Sequence, residues 1–140
     1  MFELHPQLQK DTVVVGYFDL CVVLLHKDSQ YPWCILVPQR ADIREIFELS
    51  APERALLMEE SCRLSLAIQK AFEPEKLNVA SLGNVVPQLH IHHVARFKED
   101  RAWPGPIWGA YPSVPYESEA LAQRLSWLQG HLQGEGFQQP

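Results

Sequence analysis

Apolar and polar residues alternate along the first third of the chain at the spacing of strands. Thr12 to Tyr17 and Leu20 to Leu25 read as two β-rich segments around Phe18-Asp19, a hairpin turn. Trp33 to Val37 is a third strand, entered through Pro32 and closed by Pro38. Ile43 to Leu49 predicts a short helical turn. The period then lengthens. Ser50 is a good N-cap, Pro52 lies in the first turn, and Glu53 completes a Ser-x-x-Glu capping box, so a long helix starts here. Leu57, Leu64, Ile68 and Ala71 recur at helical spacing and should face a sheet, and Glu73-Pro74 stops the helix near Phe72.

Two further strands follow, Leu77 to Leu82 and Leu89 to Phe97, separated by a turn at Gly83-Asn84. A helix followed by an antiparallel pair predicts an α+β domain. It would hold an antiparallel sheet of about five strands with one long helix packed on it. Lys98 to Asp100 reads as a charged turn. Trp103 to Tyr116 carries four prolines, two glycines, two tryptophans and two tyrosines, so this irregular arm should be pinned against a surface. Glu117 to Leu132 predicts a C-terminal amphipathic helix through Leu121, Leu125 and Leu128, and the tail Gly134 to Pro140 should be loosely ordered. Residues 1–102 are expected to form the main domain, with the arm and helix of 103–140 packed on it.

Composition narrows the classes. With 46% hydrophobic residues the chain can form a core and is no disordered tail. No run of about 18 apolar residues offers a membrane span. The start Met-Phe-Glu-Leu-His-Pro lacks the basic and apolar regions of a signal peptide, which makes the cytoplasm the expected location. Cys21, Cys34 and Cys62 are odd in number and form no Cys-x-x-Cys pair, so buried, reduced thiols are expected. A net charge of −5 argues against a general surface for long nucleic acids but leaves room for a small anion held by local donors.

The chemistry concentrates in Gly83-Asn84-Val85-Val86-Pro87-Gln88-Leu89-His90-Ile91-His92-His93-Val94-Ala95-Arg96, which holds half of the six histidines. In a strand, Gln88, His90 and His92 share one face and Leu89 and Ile91 the other, with same-face neighbours roughly 6.6 Å apart. Two imidazoles that close can act on one phosphate, one as nucleophile and one donating to the phosphoryl oxygens as charge builds. They can also ligate one metal, which would need a third ligand that the sequence does not announce. The bland alternative is a strand with surface histidines. His93 points away from its neighbours and should be a partly exposed ring at a strand end.

This segment resembles the histidine-triad (HIT) superfamily of nucleotide hydrolases and transferases, whose signature is His-φ-His-φ-His-φ-φ after a Gly-Gln turn and often before Pro-Arg. Gly83-Asn84 falls on the Gly-Gln turn, Gln88-Leu89-His90-Ile91-His92 on the triad, and Ala95-Arg96 on Pro-Arg. A shifted register, with His90 first and Val94 third, loses the fit of both Gly83 and Arg96. Residues 10–100 follow the family's order of elements. The resemblance implies a HIT-like fold and a homodimer. It also implies hydrolysis or transfer on a small nucleotide, such as a dinucleoside polyphosphate or nucleoside phosphoramidate, with no cofactor.

By the same resemblance His90 would attack the α-phosphate and carry the nucleotidyl group, and His92 would contact phosphoryl oxygens. The carbonyl of the first member would orient the His90 ring, a role Gln88 can fill although it lacks an imidazole. Asn84 stands where a phosphate-reaching Gln is usual. His26 falls where a ribose or cleft contact is common, and serves equally as a turn histidine in His-Lys-Asp-Ser. Asn78 is either a polar residue framing the phosphate site or an exposed strand-start Asn. Leu20, Val22 and Leu24 wall a base pocket or pack as core, and Trp103 and Trp108 cover the cleft or pack the arm. A second class of function remains open: a nucleotide-binding or regulatory module whose catalysis faded with the first histidine.

Overall fold

The computed structural model describes residues 1–140. Its strands are β1 (Thr12–Phe18), β2 (Cys21–His26), β3 (Trp33–Pro38), β4 (Lys76–Ser81), β5 (Ile91–Arg96) and β6 (Phe137–Gln138), and its helices α1 (Pro6–Asp11), α2 (Ala51–Phe72) and α3 (Ser118–Leu132). The fold is the expected α+β architecture with an antiparallel sheet, now six-stranded, in the order β4-β5-β3-β2-β1-β6.

The capping box forms as written in the sequence. Ser50 Oγ accepts from the Glu53 N–H, and Glu53 Oε1 accepts from the Ser50 N–H. Glu73 ends α2 in the left-handed conformation, just before Pro74. Leu57, Leu64 and Ile68 are buried, with Ala67, against the sheet residues Cys21, Val23, Leu25, Cys34, Leu36, Ile91 and Ala95. Glu60 was not anticipated. It is buried, and its carboxylate accepts from the Leu20 and Cys21 N–H groups, fastening α2 to the β1–β2 turn. Cys62, on the same helix, is exposed, contrary to expectation.

Strand alternation divides the sheet's two faces. Ile91, His93 and Ala95 of β5 turn to α2, while His92, Val94 and Arg96 turn to the opposite face. That opposite face carries a smaller cluster of Leu8, Val22, Leu24, Ile35, Val37 and Val86, joined by Phe2 and Leu4. Leu20 departs from the triplet named with it and sits in the main core.

Three further expectations change. His93 is fully buried rather than partly exposed, because α2 covers its face and Ser61 meets its ring. The tail is not loose: Phe137–Gln138 pairs with Tyr17–Phe18, and the Phe137 ring fills the space above Gly16, where a Cβ would lie 2.3 Å from Phe137 Cζ. The fifth strand begins at Ile91, since the Leu89 N–H bonds to the Ile43 carbonyl outside the ladder. Gln88 and His90 therefore belong to the long loop between β4 and β5. No helix is long and apolar enough to cross a membrane.

Candidate active site

The β4–β5 loop meets the sheet face opposite α2, and His90 sits at the junction, 5% exposed. Its Nδ1 lies 2.7 Å from the Gln88 carbonyl oxygen. A carbonyl can only accept, so Nδ1 carries a proton, and in the neutral ring Nε2 keeps its lone pair. Gly83 makes room for this ring. A Cβ there would stand 2.6 Å from the Val86 carbonyl oxygen and 3.2 Å from His90 Cε1.

His92, the next ring on the same face, is held in the other tautomer. Its Nδ1 accepts from the Trp33 indole N–H at 3.0 Å, and its Nε2–H donates to the Leu82 carbonyl at 3.1 Å. Burial lowers its pKa to about 4; the Leu82 carbonyl pulls the other way, and His90, His26 and His93 add to the lowering. The two rings meet at 4.9 Å, centroid to centroid, tilted by 76°. One presents a lone pair and the other an N–H. The pair offers no second free lone pair for a shared metal, and no three His, Cys, Asp or Glu side chains converge to hold one.

Aromatic rings frame this pair. His26 stacks on Trp33 at 3.8 Å with 2° between planes, and burial, outweighing Asp11 and Asp28, lowers its pKa. Trp108 stands edge-on to both Trp33 and His92. A cleft of about 330 Å³ opens beside them, walled by Leu8, Ile35 and Val86 and reached by His26, His90, His92 and Asn84. A second, mostly polar hollow of about 150 Å³ lies against His90, with Arg44, Ser81, Asn84 and Gln88 around it.

Of the residues chosen from sequence, His90, His92, His26 and Asn84 meet at the cleft. Asn84 is exposed at the loop and borders both hollows. Gln88 contributes its carbonyl to His90, but its side chain goes elsewhere: Oε1 accepts from the His5 N–H and Nε2 donates to the Glu3 carbonyl, both at 2.9 Å. Asn78 shares the face of His92 without reaching the cleft, its oxygen taken by Arg96 at 2.7 Å. Arg96 is itself held by Asp100, Asn78 and the Gly105 carbonyl. Val22 and Leu24 lie in the cluster under the cleft, and Trp108 rather than Trp103 borders it. Sequence reasoning missed Trp33 and the wall from α1. Strand parity with Ile35 places Trp33 on the cleft face, and Pro6 marks the first turn of α1.

The profile of the HIT domain matches residues 7–99. Among solved structures, a histidine triad protein from Marinobacter aquaeolei is 48% identical, covering 94% of this chain and 96% of its own, with a TM-score of 0.91. One from Bradyrhizobium japonicum is 40% identical (94% and 98% covered, TM-score 0.93), and one from Sinorhizobium meliloti is 39% identical (94% and 98%, TM-score 0.92). No curated protein matches the chain.

Proposed function

The chain belongs to the HIT domain family, and from that membership and the paired tautomers of His90 and His92 we propose a hydrolase or nucleotidyl transferase acting on the α-phosphate of a small nucleotide. The observation that carries the reading is the bond from His90 Nδ1–H to the Gln88 carbonyl, which leaves Nε2 bare beside the cleft. That lone pair attacks the α-phosphorus. An N–P bond forms as the bond to the leaving group breaks, and the leaving group departs with the electron pair and takes a proton from solvent. Water then attacks the phosphorus, the N–P bond breaks, and a nucleoside monophosphate is released. His92 donates through Nε2–H to a phosphoryl oxygen as charge builds. The cleft between Trp33, Val86 and Leu8 suits a base, and Asn84 and His26 border it on the polar side. Dinucleoside polyphosphates and nucleoside phosphoramidates are the substrates of choice, and a homodimer in the cytoplasm is the setting the family implies.

Gln88 does not weaken this reading, because the bond to His90 uses its backbone. Turnover of a panel of nucleoside phosphoramidates and dinucleoside polyphosphates tests it. His90→Ala should lower kcat/KM by at least about 1,000-fold, and mass spectrometry should find a nucleotidyl adduct on His90 of the wild type. Unchanged turnover in His90→Ala would remove the nucleophile. Binding of AMP with neither turnover nor adduct would make the chain a nucleotide-binding module.

A further inference from the structure

Three rings gather around Trp33. His26 lies flat on its indole, Trp108 stands edge-on at 6.4 Å, and the indole N–H reaches His92 Nδ1 at 3.0 Å. An indole nitrogen donates and never accepts, so this bond exists only while His92 Nδ1 is bare. On the far side of the imidazole, Nε2 faces the Leu82 carbonyl, which can only accept. Two unrelated partners thus demand the same tautomer.

We propose that Trp33 is a positioning residue that keeps His92 a hydrogen-bond donor through Nε2 and denies it the role of a base. The inference rests on the roles given to His90 and His92 above and deepens them. An imidazole with a free Nδ1 exchanges its proton between its nitrogens and spends part of its time presenting a lone pair to the phosphoryl oxygens. The indole removes that state. In the resting protein the Leu82 carbonyl holds the Nε2–H, and a phosphoryl oxygen entering the cleft takes its place. The proton stays on His92 throughout. Protonating Nδ1 would set two N–H groups head to head. The titratable neighbours do not favour it either: His90, His26 and His93 act on the ring, and the one carboxylate at the cleft, Asp11, stands with His26 at its rim.

Trp33→Phe keeps a ring for His26 to stack on and removes the N–H. The full-length protein is read in two ways. By ¹⁵N–¹H NMR at pH 7, wild-type His92 should carry its proton on Nε2 alone and titrate near about 4. In the variant the Leu82 carbonyl is the one constraint left, so a minor Nδ1–H tautomer becomes detectable, while burial keeps the titration low. In turnover of a nucleoside 5′-phosphoramidate, kcat falls about tenfold while KM stays within about twofold. A wild-type His92 protonated on Nδ1, or titrating ordinarily, overturns the proposal without any variant, so a misfolded Trp33→Phe does not shelter it. An unchanged tautomer in a folded variant overturns it as well. If the wild type turns over no nucleotide, the functional reading fails, and the NMR measurement still decides the role of Trp33.

Discussion

A hydrogen in place of a methyl group at residue 83 lets the His90 ring lie where it does. Gly83 is needed for space, since the nearest atom to an added Cβ is the rigid Val86 carbonyl and the next is His90 itself. Gly83→Ala should therefore displace the loop or the ring by a few tenths of an ångström or more. We expect kcat to fall by up to about 100-fold, as reacting groups tolerate little misplacement, with nucleotide affinity and the thermal midpoint changed far less. Equal kcat in the two proteins would show that the ring has slack. Single residues were also where sequence reasoning was weakest. Alternation placed His93 on the correct face, but only the long-range arrival of α2 shows that the face is covered and that Ser61 Oγ donates to its Nε2 at 2.7 Å. Cys62 is exposed because the buried stripe of α2 runs through Leu57, Glu60, Leu64, Ala67 and Ile68, leaving position 62 on the other side.

At the scale of elements, β5 couples the site to the stability of the fold. It carries His92 and His93 on opposite faces, both buried, and burial lowers each to about 4 from an ordinary 6.5. Between those values the unfolded chain binds protons that the folded chain refuses. Stability from these two rings is therefore complete above about pH 6.5 and is lost as pH falls toward 4. The slope is on the order of 1.4 kcal/mol per pH unit for each histidine. Urea midpoints between pH 7 and 5, above most carboxylate titrations, should fall accordingly, and His93→Gln should show a clearly shallower slope, with His92 and His26 still contributing. A flat profile in the wild type would mean that the rings are less shielded than their burial implies. Elements were legible in the sequence where local chemistry specifies them. The Ser50–Glu53 box and the Glu73-Pro74 stop delimit α2, and Pro32 and Pro38 bracket β3 closely. The strand at Phe137 was illegible, because it depends on a glycine at position 16 leaving room for a ring from the other end of the chain. The site strand was half legible: its histidines were apparent, but Leu89 and His90 lie outside the ladder because Leu89 bonds across to Ile43.

Across the whole molecule, both chain ends are sewn to the sheet that bears the site. Arg96 ties β5 to β4 through Asn78, to the charged turn through Asp100 and to the proline-rich arm through Gly105. At the other end, Gln88 grips the N-terminal segment through Glu3 and His5, while Phe2 and Leu4 pack on the cluster beneath the cleft. Removing that grip by Gln88→Ala should cost about 1 kcal/mol, the worth of one partly buried and one exposed hydrogen bond. In a chain lacking residues 1–5 the same substitution should cost nothing further, as expected of groups that act only through each other. Denaturant titration of the four proteins checks this, and additive losses would break the link. The Gln88 grip also bears on timing. Chain ends fray at little cost and on short timescales, and here the residue that holds the end also supplies the carbonyl that aims the His90 ring. Each release of the first residues should loosen the peptide at Gln88 and broaden the directions in which the nucleophile points. Warming should then slow the productive fraction of encounters even as it speeds the bond-making step, so that fraying of the N-terminus bends the rate's Arrhenius plot well below the temperature at which the sheet unfolds.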